Sequence, residues 1–261
     1  MSQSYPIQQK HEDFDVLLTT MPFGPLSQPS IGLTLLKDSL SYLNLQTEIL
    51  YLTLQFGNRI GSKLYNRIAA GRPYQDMVGE WLFSEDLFGD DNPRGRTYIE
   101  GILRRKDPEN TRKTPVSEPY ISQLIKVQKQ IPNFMDYAVQ EILDRNPKIL
   151  GLTSIFQQHV ASLALAKRIK AVRPEIVIVM GGANCEDVMG AEIVNQFHFI
   201  DYVISGEGEI MFPQLVEHIL AGKSGYYLQG VFSKDSLAFK NINGQFLSAP
   251  PVREMDSLPS L

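Results

Sequence analysis

The sequence predicts an α/β protein built on an open, doubly wound, five-stranded parallel sheet of the flavodoxin-like or Rossmann-like kind. Three observations predict it. Short, nearly continuous apolar runs recur along the chain, as strands buried on both faces require. Amphipathic stretches with helical spacing separate them. Loops rich in Gly, Ser and Pro follow the runs, where sheets of this kind receive ligands. The 261 residues are enough for one domain with a substantial core.

The elements follow in order. Residues 1–13 are polar, lack the apolar stretch of a secretory signal, and read as a flexible tail. FDVLLTT (14–20) is the first strand. MPFGPLSQPSIG is a loop, and Ser30 caps a helix running to about Leu43. TEILYL is the second strand, parallel to the first because a helix joins them. From about 54 to 146 the pattern becomes helical, with segments at 56–70, 74–88, 97–106 and 117–144 and Pro132 starting or kinking the last. This stretch is a helical insertion. Its Arg- and Lys-rich run RGRTYIEGILRRKDPENTRK reads first as a solvated face, and an RNA or peptide contact is the alternative.

The α/β rhythm then returns. PKILGLTS is the third strand and HVASLALAKRIKAVRP a helix ended by Pro174. EIVIVM is the fourth strand, followed by GGANCEDVMG and the helix AEIVNQF. IDYVIS is the fifth strand, followed by GEGE and the helix IMFPQLVEHILAG. YYLQGVFS and the region around Asn243-Gly244 form a C-terminal β addition, with that dipeptide as a hairpin turn. The expected α/β domain spans 14–248, and 249–261 reads as a linker.

Composition narrows the function. A net charge of −4 gives no global signal for nucleic acid. No run of about 18 apolar residues exists, so no membrane span is expected, and a cytoplasmic protein is the default. The single cysteine excludes an intrachain disulfide, a Cys-rich metal site and an iron–sulfur cluster held by three or four cysteines of this chain. Cys185 is followed by Glu186 and Asp187, which disfavour a thiolate, so a buried structural or cofactor-lining role is expected.

Four loops should meet beyond the C-terminal strand ends: MPFGPLSQPSIG, TSIFQQH, GGANCE and SGEGE. LLTTM lacks the acidic residues of a phosphoacceptor receiver domain. Gly206-Glu207-Gly208 has Met211 where a dinucleotide fingerprint needs its third glycine, and it follows the last strand rather than the first. Thr19, Thr20 and Ser27 make a poor flavodoxin-type phosphate loop.

PSIGLTLLKDSL, GEWLF, FQQHVASLALAKRIK, GGANCEDVMG and DYVISGEGE together resemble the N-terminal region of cobalamin-dependent radical S-adenosylmethionine enzymes, most closely the group acting on ribosomally made peptides. The resemblance covers nearly the whole chain. It implies cobalamin bound base-off along the strand ends, and a C-methyltransferase acting on a peptide. Pro22, Phe23, Gly24, Ser27, Pro29, Ser30, Ile31 and Gly32 would form the loop beneath the corrin ring. Thr153, Ser154 and Asn184 would hydrogen-bond the nucleotide tail, with Phe156, Gln157, Gln158 and Ala183 beside them. Gly181, Gly182 and Gly206 would let that tail approach the backbone. Ser205 and Gly208 would complete the last loop, with Glu207 and Glu209 capping a helix or bonding ribose hydroxyls. Trp81, Phe83 and Phe88 would pack in the insertion or lie over the outer face of the corrin.

The departures matter. In the DxHxxG pattern whose His ligates cobalt, the Asp position is Ser27 and the His position is Pro29, so no imidazole is available from that motif. A weak lower ligand suits methyl transfer. His159 is the substitute cobalt ligand to weigh against a polar contact at the helix start. The family's CxxxCxxC is absent, so the 4Fe-4S cluster and S-adenosylmethionine would belong to a catalytic domain outside this sequence, joined in cis or acting in trans. A stand-alone cobalamin carrier or sensor is the alternative. A third reading gives the cleft to another nucleotide-bearing ligand.

Overall fold

The computed structural model describes residues 13–70, 76–89, 97–105, 115–223, 228–235 and 248–253. The described strands form one sheet in the order β2-β1-β3-β4-β5-β6. They are β1 Val16–Thr20, β2 Thr47–Tyr51, β3 Ile149–Thr153, β4 Val177–Gly181, β5 Tyr202–Ile204 and β6 Val231–Phe232. β1 to β5 are parallel, and β6 pairs antiparallel with β5 at the edge. The expected five-stranded parallel sheet with a β addition is therefore present. The Asn243-Gly244 turn lies outside the described residues.

The strand order places the reversal of winding between β1 and β3. After β1 the chain moves outward to β2, then returns across β1 to lay down β3, β4 and β5 in the other direction. Two helices, α1 (Ile31–Ser39) and the helix Gly208–Leu220, pack on one face. All the others pack on the opposite face. They are α2 Leu52–Ile60, α3 Ser62–Ala70, α4 Val78–Phe88, α5 Glu118–Gln128, α6 Ile131–Arg145, α7 His159–Val172 and α8 Asp187–Gln196, so Gly208–Leu220 is α9.

The period-2 alternation of strand side chains divides the core accordingly. Leu17, Leu150, Ile178 and Val203 point to the many-helix side. Val16, Leu18, Ile149, Val179 and Ile204 point to the α1–α9 side, which is the smaller cluster. The polar Thr19 is tolerated inside because its hydroxyl donates to Leu50 O at 2.7 Å.

Residues 52–145 supply the helical insertion expected between the second and third strands, beginning directly after β2. Pro132 stands in the first turn of α6, where its missing N–H costs no hydrogen bond. An aromatic cluster locks the insertion to the sheet. Phe23 lies 5.0 Å from Tyr65 and 5.7 Å from Phe56 between ring centres, and Phe56 lies 4.6 Å from Phe134. Phe83 joins this cluster, while Trp81 stacks on Tyr98 at 4.9 Å. Phe88 is exposed. Most of the basic run at 94–113 falls outside the described residues. No helix among the described residues is long and apolar enough to cross a membrane.

Several boundaries differ from expectation. The helix after β4 begins at Asp187, four residues before AEIVNQF, and so takes in the last four residues of the glycine-bearing loop. The α1 helix ends at Ser39, and Ser41–Leu43 form a separate tight turn.

Candidate functional site

A cleft of about 190 Å³ opens on the α1–α9 side at the C-terminal strand ends. Its floor is the sheet itself, through Leu18, Gly151, Val179 and Ile204. Its walls are α1, through Leu33 and Leu36, and α9, through Phe212. The register explains the space. Gly151 pairs with Leu18 of β1 and Val179 of β4, so it sits mid-sheet at the point where the winding reverses. A Cβ there would come within 2.7 Å of Leu18 Cδ2. A glycine in a central strand is otherwise a weakness, and it commonly marks the approach of a ligand or another backbone.

The mouth gathers many of the residues singled out from the sequence. Gly32, Thr153, Gly181, Gly182, Gly206, Glu207, Gly208 and Glu209 all line the cleft. Their glycines differ in what they permit. Nothing lies within 4 Å of a Cβ built on Gly32, and at Gly181 the nearest atom is Ile204 O at 3.7 Å. Gly182 has φ +101° and would press a Cβ to 2.7 Å from Ser154 O. Gly206, at φ +94°, would meet Ala249 N at 2.9 Å. These two let one loop cross the protein's own backbone closely.

The loops after β3 and β4 are stitched together. Ser154 N donates to Gly181 O at 2.8 Å and Asn184 N to Ser154 O at 3.1 Å. The Asn184 amide donates to Ser154 Oγ at 3.1 Å and to Phe156 O at 2.9 Å. Ser154 Oγ also meets His159 Nδ1 at 3.1 Å. Burial lowers the pKa of His159, favouring the neutral ring. Phe156 stands out from this knot, 72% exposed on a left-handed backbone of φ 44°. Ala183 is exposed beside it.

The first loop divides. Ser27, Pro29 and Ile31 are exposed, and Ser30 caps α1 by accepting from Leu33 N at 3.3 Å. Pro22, Phe23 and Gly24 turn inward and are buried, and Tyr65 OH donates to Gly24 O at 2.7 Å. Two further residues from the sequence reading also face the interior. Gln157 accepts from Gly79 N at 2.6 Å and donates to Ile68 O at 2.9 Å. Gln158 donates to Thr20 Oγ1 at 2.8 Å and Met21 O at 2.6 Å. Their amides are spent on holding the insertion and the first loop, away from the cleft. Ser205 is buried as well, and its hydroxyl accepts from Asp187 N at 2.8 Å.

Glu80, from the GEWLF segment, reaches out of the insertion to the start of α7. Its carboxylate accepts from His159 N at 3.1 Å and Val160 N at 2.6 Å. Burial pushes its pKa up to about 7 against the pull of those two amides. Cys185 is fully buried, and burial together with Glu186 pushes its thiol up to about 12, so it has no nucleophilic character.

Sequence reading missed the apolar lining, Gly151 above all. The signal was present, since a glycine interrupts the run ILGLT.

Residues 88–216 match the family model of the B12 binding domain. This B12-binding match covers just under half of the chain, from the end of α4 into α9. It takes in β3, β4 and β5 with their loops, and hence most of the cleft. An uncharacterized methyltransferase of Pyrococcus horikoshii is 28% identical over 118 residues, covering 44% of this chain and 24% of that protein. Two structures of the radical S-adenosylmethionine methyltransferase TsrM from Kitasatospora setae also align. One holds a tryptophan substrate and a SAM analog; the other holds cobalamin and a [4Fe-4S] cluster. Both are 14% identical with a TM-score of 0.43, and the alignments cover 90% and 92% of this chain and 30% and 29% of theirs. The chain thus spans about a quarter of the curated relative and less than a third of either solved chain.

Proposed function

We propose that the chain binds cobalamin base-off, with the nucleotide tail in the cleft and the corrin over the C-terminal strand ends. The observation that carries this reading is the cleft itself. It is an apolar slot at the β1–β3 switch point, opened by Gly151, and most of its lining lies in the region that matches the B12 binding domain. Its chemistry supports the reading. The floor of Leu18, Val179 and Ile204 suits a flat aromatic base, and Gly32 and Gly181 leave room for the linker to the ring. Among the described residues no Lys or Arg lines the cleft, which disfavours a free nucleoside di- or triphosphate. A ligand whose phosphate is a monoanionic diester is better tolerated.

The roles of the chain's residues follow. Thr153 and Gly181 bound the slot where the tail would enter it. Pro29 and Ile31 lie on the exposed first loop, and proline cannot donate to a metal. His159 holds its ring against Ser154 through Nδ1, so Nε2 would be the nitrogen to meet cobalt. Cobalamin bound here would supply a cobalt-centred carrier for a methyl group.

Exposed apolar side chains at this edge, in the first turns of α1 (Ile31), α8 (Val188 and Met189) and α9 (Ile210) and in the turn after β3 (Phe156), support a face that is covered in the working protein. This favours a part of a cobalamin-dependent radical S-adenosylmethionine enzyme, a C-methyltransferase acting on a ribosomal peptide, over a free carrier or sensor. The cluster and S-adenosylmethionine would be held by the partner domain.

The test is a titration with hydroxocobalamin, then desalting and a visible spectrum. Stoichiometric retention with a base-off spectrum is expected, unchanged in His159→Ala. Cobalamin that washes through would sink the reading. A spectrum altered by His159→Ala would assign that imidazole to cobalt.

A further inference from the structure

The cleft carries a polar signal that its apolar lining does not explain. Among the described residues two charged side chains line it, Glu207 and Glu209. The Glu207 carboxylate is occupied, because Val252 N donates to it. Glu209 is different. Its Oε2 is buried and has no hydrogen-bond partner among the described residues. A buried acceptor left unpaired is costly, so such an atom beside a cleft signals a donor supplied from outside.

The rest of the cleft narrows what that donor is. With both charged groups acidic and no cation among the described lining residues, the group that meets Glu209 is not itself an anion. A hydroxyl or an amide N–H on an otherwise apolar body suits both the acceptor and the apolar floor. The first turn of α9 also fixes where it must be. Glu209 lines the cleft next to Gly208, whose Cβ would sit 3.1 Å from Leu36 Cδ2, so α1 and α9 approach closely beside it.

Resting on the cobalamin reading, we propose that Glu209 is the residue that selects the complete cofactor, by accepting a hydrogen bond from a ribose hydroxyl of the nucleotide tail. Glu207 orders the chain around the mouth and plays no part in that selection. The tail is recognised by one charged acceptor against an apolar floor, with its phosphate left at the rim.

The test uses the full chain and two corrinoids. Hydroxocobalamin carries the tail; cobinamide lacks it and keeps the corrin amides. Both are titrated into the unaltered protein, Glu209→Ala and Glu209→Gln, with thermal unfolding of each variant to verify the fold. The unaltered protein is expected to prefer cobalamin. Glu209→Ala should weaken cobalamin about 10- to 100-fold, the range for a hydrogen bond to a charged group, and leave cobinamide within about twofold. Glu209→Gln keeps an acceptor and should lose less. Equal losses for both corrinoids would mean that Glu209 serves a corrin amide or the fold, and would overturn the assignment. Unchanged binding of both would overturn it as well. If the unaltered protein retains neither corrinoid, the cobalamin reading fails and takes the assignment with it.

Discussion

Glu80 Oε2 accepts a hydrogen bond from Val160 N at 2.6 Å, although 80 positions separate the two residues. A side chain of the insertion thereby caps the helix that follows β3. The start of α7 offers backbone donors that its own flanking residues leave unsatisfied, and the insertion supplies the acceptor. The loop that carries Ser154, Phe156 and His159 is therefore held from the side of the insertion.

This cap predicts a pH dependence. Burial raises Glu80 from 4.5 to about 7, so between those values the folded protein keeps a proton that the unfolded chain has released. Stability should fall as pH rises through that window, by at most about 3 kcal/mol. Melting temperatures of the unaltered protein should decline from pH 5 to 8 more steeply than those of Glu80→Gln. Parallel curves would remove Glu80 as the source.

Filling the cleft from below is a second test. Gly151→Val places two methyl groups against Leu18 and into the slot. The cost to stability should be about 1–3 kcal/mol, and cobalamin retention should drop by at least about tenfold. A variant that folds and binds like the parent would show that the ligand does not use this floor.

Gly182→Ala addresses the seam between the loops after β3 and β4. It combines a left-handed backbone with a Cβ 2.7 Å from a carbonyl that cannot swing away. A loss of about 1–3 kcal/mol is expected in denaturant unfolding. Gly32→Ala, with open space around it, should cost far less. Similar losses for the two would contradict the geometry.

Cys185 offers a probe of opening. Its thiol is fully buried and pushed up to about 12. Iodoacetamide at pH 8 should leave the native protein unlabelled and modify it fully in denaturant. Rapid native labelling would mean that the loop after β4 opens on its own.

How far the sequence revealed this can be judged from particular residues. The five parallel strands were legible because strands buried on both faces leave unbroken apolar runs, such as VLLTT and VIVMG. The convergence of Gly32, Gly181, Gly206 and Glu209 on one cleft was legible because the α/β rhythm puts all such loops at one edge. Gln157 and Gln158 were not. In FQQH they look like an exposed polar turn, and their inward direction depends on partners 89 and 138 positions away. Phe156, expected beside the nucleotide tail, is turned out into solvent by its left-handed backbone. The start of α8 at Asp187 was missed because Ser205, distant in sequence, accepts from its backbone N–H.

Ala249 N donates to Ser205 O at 2.7 Å, and Val252 N donates to the Glu207 carboxylate. The stretch 248–253 thus grips the loop that forms one wall of the cleft. Mechanically, that wall is in series with the polypeptide beyond Arg253. A pull on the chain there would be transmitted first to the loop at Gly206, before it reached any strand.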